Sequence, residues 1–165
     1  MATTATIQIT RRDGRSALPE SAVSFEEKLL ENNLSLRSSD VEILQVNVGK
    51  LCNQACKHCH VDASPTRTEI ISRETIDACL EVLEKYKIPT LDITGGAAEM
   101  IPDFQYFVKE AKNIGVKILV RHNLTVMFED GKEDLPDFFA ENEVEVVCSL
   151  PYFLADKTDA QRGDG

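Results

Sequence analysis

Leu44-Gln45-Val46-Asn47-Val48-Gly49-Lys50-Leu51-Cys52-Asn53-Gln54-Ala55-Cys56-Lys57-His58-Cys59 is the stretch on which the reading of this 165-residue chain turns. Glu42 to Val48 has the β-branched build of a strand and runs straight into Gly49 and a loop with the spacing Cys-x3-Cys-x2-Cys. Three thiolates so spaced can hold three corners of a [4Fe–4S] cubane and leave its remaining iron without a protein ligand. Ordinary electron-transfer clusters use four cysteines. An open metal position lets a substrate or cofactor bind directly, which is what separates catalytic from structural zinc sites. The competing readings are a zinc site, with His58 or His60 completing a Cys3His set, and a non-catalytic electron-transfer module. Zinc modules pair one Cys-x2-Cys with a distant second pair, and no such second pair is present.

Composition narrows the setting. The chain is 42% hydrophobic and 28% charged, enough apolar material for one globular core. A net charge of −10 repels nucleic acid and anionic membrane, so neither is an expected partner. Five cysteines, three of them within eight residues, make a poor disulfide framework and a good metal-ligand cluster. No apolar run has membrane-spanning length, and Met1 to Thr6 lacks the build of a signal peptide, so the expected home is the reducing cytoplasm.

Working outward, residues 1–40 read as an N-terminal arm with a short packing helix at Phe25-Glu26-Glu27-Lys28-Leu29-Leu30. Residues 41–165 read as the core. Ser72 is placed to cap a helix carrying Ile76, Cys79, Leu80 and Leu83 at helical spacing, and Pro89 follows it. Thr90 to Thr94 is a second strand ending in Gly95-Gly96. A helix from Pro102 closes at Gly115, and Val116 to Arg121 is a third strand. Asp134 to Asn142 is a further helix. Glu143 to Ser149 is a near-continuously apolar fourth strand, expected of a sheet covered on both faces, with Cys148 core-like within it. Strand–helix alternation predicts an α/β fold with a parallel sheet and right-handed crossovers. Arg162-Gly163-Asp164-Gly165 reads as an interrupted polar loop, and the chain as the first part of a longer protein.

These segments also carry a family resemblance. The cysteine loop after a first strand is the signature of the radical S-adenosylmethionine (SAM) superfamily, and the downstream alternation resembles its partial (β/α) barrel, here truncated after about four strands. Leu44 to Gly49, Cys52 to Ala63 and Arg67-Thr68-Glu69 resemble the arsenosugar-biosynthesis radical SAM family. So do Asp92-Ile93-Thr94-Gly95-Gly96-Ala97, Arg121-His122-Asn123-Leu124-Thr125-Val126 and Val146-Val147-Cys148-Ser149-Leu150-Pro151.

The resemblance implies an enzyme that reductively cleaves SAM to a 5′-deoxyadenosyl radical and adds it to a trivalent methylated arsenical. A peptide or small organic substrate is the alternative. It assigns the [4Fe–4S] cluster to Cys52, Cys56 and Cys59, and SAM to its open iron. His58 stands where the superfamily often has an aromatic residue beside the adenine. Gly95, Gly96 and Glu99 correspond to the glycine-rich motif that meets the SAM amino group, although Ala98 replaces its usual proline. Arg121 and Asn123, with Ser149 more weakly, are candidates for the ribose hydroxyls or the SAM carboxylate. Cysteines common in the family are replaced by His122 and Tyr152. An electron donor such as flavodoxin or ferredoxin is implied. The chain alone, lacking the rest of the barrel, is expected to turn over little.

Overall fold

The computed structural model describes residues 23–163, and the chain divides into two units, Met1–Ser39 and Asp40–Gly165. In the first, Ser24 starts a helix, α1 (Phe25–Glu31), through a reciprocal cap: Ser24 Oγ accepts from the Glu27 N–H at 3.1 Å, and the Glu27 carboxylate accepts from the Ser24 N–H at 2.8 Å. α1 has no buried residue. Most of the expected arm, residues 1–22, lies outside the described residues.

The second unit runs β1 (Ile43–Asn47), α2 (Arg73–Tyr86), β2 (Thr90–Thr94), α3 (Phe104–Ile114), β3 (Lys117–His122), α4 (Leu135–Glu141), β4 (Glu145–Cys148) and α5 (Ala155–Arg162). The four strands form one parallel sheet in the order β1-β2-β3-β4. Local chemistry sets the helix limits. Ser72 Oγ accepts from the Thr75 N–H at 3.3 Å, while α2 stops at Lys87 and α3 at Gly115, both left-handed.

Alternation along the strands decides what is buried. Leu91 and Ile93 on β2 and Ile118 and Val120 on β3 point to the helix side, against Ile76, Leu80 and Leu83 of α2 and Phe104, Phe107 and Val108 of α3. Each such side chain, fully buried, contributes about 1.5–3 kcal/mol. Phe104 meets Phe139 edge-on and Phe138 at a tilt, locking α4 to α3. The opposite face carries Gln45, Asn47, Asp92, Arg121 and Glu145. The expectation of two covered faces is therefore corrected: β1 and β3 alternate between buried and exposed, and Cys148 in β4 is exposed instead of core-like. Apolar continuity in β4 arose from Val144, Val146 and Val147, none of which is fully buried. Among the described residues no helix is long and apolar enough to cross a membrane.

Candidate functional site

Parallel strands deliver their C-terminal ends to one edge, and the cysteine loop folds back over that edge. Gly49 bridges to Ile70 and Leu51 to Ser64, so the loop is held at both ends by backbone. The Lys50 N–H donates to the Glu69 carbonyl at 2.8 Å, and the Ser64 N–H to the Lys50 carbonyl at 3.1 Å. Arg67 braces the return through ion pairs to Asp62 at 2.9 Å and Glu69 at 2.5 Å, and its hydrogen bond pulls the Glu69 carboxyl down to about 2. Inside the loop, the Cys59 N–H donates to the Cys56 carbonyl at 3.1 Å, which turns the chain so that Cys59 follows Cys56 around the cavity.

The Gly95-Gly96 turn after β2 seats on this loop. The Gly96 N–H donates to the Gly49 carbonyl and the Ala97 N–H to the Leu51 carbonyl, both at 2.9 Å. A Cβ on Gly96 would overlap the Leu51 carbonyl oxygen, and one on Gly95, at φ +140°, would lie 2.8 Å from the Gly49 carbonyl oxygen. The loop's close approach thus requires both glycines, which also line the cavity where the sequence reading placed them.

Cys52, Cys56 and Cys59 all line one open cavity of about 400 Å3, together with Gly95, Gly96 and Cys148. Burial pushes the thiols of Cys52 and Cys56 above their usual range; at Cys56 the Arg162 guanidinium pulls the other way. Ligation must therefore expel a proton from each. Among the described residues no three Cys, His, Asp or Glu side chains converge on a single metal position. Cys52, Cys56 and Cys59 instead line one cavity, and a cubane cluster would take each thiolate on its own iron. The donor type, three thiols at one cavity, fits [4Fe–4S].

The remaining candidates divide. His58 is exposed and lines the cavity, as do Arg121, Asn123 and Ser149. Arg121 is nonetheless committed through Nη2 to Asp92 at 2.8 Å, which holds the Asp92 carboxyl below the usual range, helped by the Gln45 amide at 2.6 Å. Asn123 is committed too. Its Oδ1 caps the Thr125 and Val126 N–H groups at 3.0 Å, and its amide donates to Asn53 at 2.7 Å and toward the Cys52 sulfur at 3.8 Å.

Glu99 is not brought to the cavity with the others. It is buried against His122, which lines the cavity and whose Nδ1 shares a hydrogen bond with Glu99 Oε1 at 2.6 Å, the His122 ring standing edge-on to Phe139. Cys148 and Arg162, which sequence reasoning did not assign to the site, also line the cavity. Cys148 ends β4 as its register partner His122 ends β3. Arg162 carried no signal: it lies in α5, where the sequence suggested a polar loop, and is buried beside the cavity.

The radical SAM superfamily pattern matches residues 46–151, from β1 through the cysteine loop to the end of β4. The chain belongs to the radical SAM superfamily. Members of that superfamily use a [4Fe–4S] cluster and SAM, in keeping with the cavity chemistry above. The probable GTP 3′,8-cyclase of Sulfurisphaera tokodaii is 29% identical over 77 residues, which is 47% of this chain and 25% of the cyclase. Streptococcus suis SuiB bound to SAM superposes with a TM-score of 0.63 at 15% identity, covering 83% of this chain and 31% of SuiB. SuiB bound to its precursor peptide SuiA gives 0.62 at 16%, over 83% and 30%. At such identities the SuiB likeness speaks for the fold alone. The chain spans about a quarter of the cyclase's length.

Proposed function

We propose that the protein is a radical SAM enzyme whose cluster is held by Cys52, Cys56 and Cys59 in the core formed by residues 41–165, and whose radical is transferred to a trivalent methylated arsenical. The observation that carries the cluster assignment is that three thiols line one cavity at the C-terminal edge of a parallel sheet. When bound and reduced, the cluster supplies the electron that splits SAM into methionine and a 5′-deoxyadenosyl radical. This chain's residues hold and shape. Gly95 and Gly96 seat the β2 turn against the loop, and Asn123 ties the end of β3 to Asn53 and Cys52. His58 and Ser149 stand exposed at the cavity, free to meet adenine, ribose or carboxylate groups. Arg121, half-exposed, meets the same ligand with its orientation set by Asp92. Glu99, expected at the SAM ammonium, reaches the cavity wall through its hydrogen bond to His122.

The arsenical rests on the resemblance of the quoted sequence segments to the arsenosugar-biosynthesis family. It gains support from the Cys148 thiol, a soft donor in the cavity beyond the three-cysteine set and suited to thiophilic trivalent arsenic. A flavodoxin or ferredoxin as reductant and a cytoplasmic setting belong to the same proposal. A second reading, a peptide or small organic substrate, draws on SuiB, whose solved structures include one bound to a precursor peptide. Incubating the reconstituted full-length protein with dithionite, SAM and dimethylarsenite separates them. A deoxyadenosyl-arsenical is expected. Free 5′-deoxyadenosine with no arsenic–carbon product would leave the second reading.

A further inference from the structure

The C-terminal turn of α5 puts a cation into the cavity that the chemistry above does not use. Arg162 is 8% exposed and lines the same space as the three thiols. Its Nη1 donates to the Asn123 carbonyl at 2.7 Å and its Nη2 to the Ser149 carbonyl, so the guanidinium joins the ends of β3 and β4. Both partners are neutral. Its Nε is buried with no partner among the described residues, and none of their carboxylates forms an ion pair with it. A buried charge is expensive unless an opposite charge meets it.

What lies opposite is the cysteine loop. The Lys57 N–H donates to the Gln161 carbonyl at 2.9 Å, so the neighbour of Cys56 is bonded to the neighbour of Arg162. A cubane carried by three thiolates is anionic, and an added electron makes it more so. Charge and hydrogen bonding around the sulfurs are among the levers that set such a potential.

We propose that Arg162 is the internal counter-charge of the cluster: α5 holds its buried cation beside Cys56, where it raises the reduction potential and favours the reduced state. This rests on the iron–sulfur reading. In the step concerned one electron passes from the external reductant to the cluster, and no bond forms or breaks. Arg162 is a positioning and electrostatic residue, so its signature is a potential.

The test is an anaerobic redox titration of the reconstituted full-length protein without SAM, read by electron paramagnetic resonance, for wild type, Arg162→Gln, Arg162→Met and Arg162→Lys. The two neutral variants are expected to lose at least tenfold in the equilibrium for one-electron reduction, a shift of about 59 mV to more negative potential. Arg162→Lys, which keeps the charge but loses the two-carbonyl fork, is expected to stay with wild type. Unshifted neutral variants overturn the proposal. An equal shift in Arg162→Lys also overturns it, because the effect would then belong to the join between β3 and β4. Weaker SAM binding at an unchanged SAM-free potential overturns it in favour of a carboxylate-binding arginine. Neutral variants that hold no cluster while Arg162→Lys does count for the charge; loss in all three variants counts against it. Wild type that takes up no cluster rejects the iron–sulfur reading itself.

Discussion

Gly96 concentrates the site's dependence on single residues. The atom its Cβ would strike is a backbone carbonyl, and the Cys52 Cβ stands only 3.1 Å away, so no flexible tip can yield. Gly96→Ala is expected to cost about 1–3 kcal/mol by overpacking. It is also expected to lower the iron bound after reconstitution, since the strain falls on Leu51 and Cys52. Thermal melting with iron analysis checks both, and an unchanged melt with full iron would show that the turn does not seat on the loop. The three thiols were legible in the sequence because they lie within eight residues of one another. Glu99 was less legible: it lies three positions after Gly96, but a short helical turn, Ala98–Met100, carries its carboxylate to His122.

Between elements, the open face of the sheet is organised by a diagonal ion pair. Asp92 on β2 has Leu119 as its register partner, and Arg121 lies two residues further along β3, on the same face. With Gln45 from β1 the pair ties three strands. The Arg121 hydrogen bond depresses the Asp92 carboxyl below its ordinary 3.8. A depressed folded-state value contributes stability that is present above the unfolded value and lost as pH falls through the folded one. Wild type is therefore expected to lose melting temperature between pH 6 and pH 3 by more than Asp92→Asn does, the difference modest because Arg121 is half-exposed. Equal losses would remove the pair from the account. Strand and helix order was readable from periodicity and caps. Which strand face stays open was not, because β4 is apolar without being covered.

Across the second unit, the aromatic cluster of Phe104, Phe138 and Phe139 joins α3 and α4 and backs the cavity wall through His122. Phe104 is 2% exposed. Phe104→Ala is expected to cost about 3–5 kcal/mol, the range for emptying an aromatic core position. Urea denaturation followed by circular dichroism measures it. A loss below about 1 kcal/mol would mean that the helix layer is packed independently of this ring.

What the sequence by itself determined is what short chain separation enforces: a thiol loop after a strand, a glycine turn one strand later, and helices with readable starts at Ser72 and ends at Gly115. The fold class follows from that order, because alternating strands and helices close only as a parallel sheet with crossovers. Only the tertiary structure decided what surrounds the thiols. Register places Cys148 beside His122, the short turn after Gly96 takes Glu99 away, and α5 returns Arg162 to a cavity that Cys59 leaves about a hundred positions earlier. Those placements depend on backbone hydrogen bonds between distant segments, such as Lys57 to Gln161, for which no local pattern exists to be read.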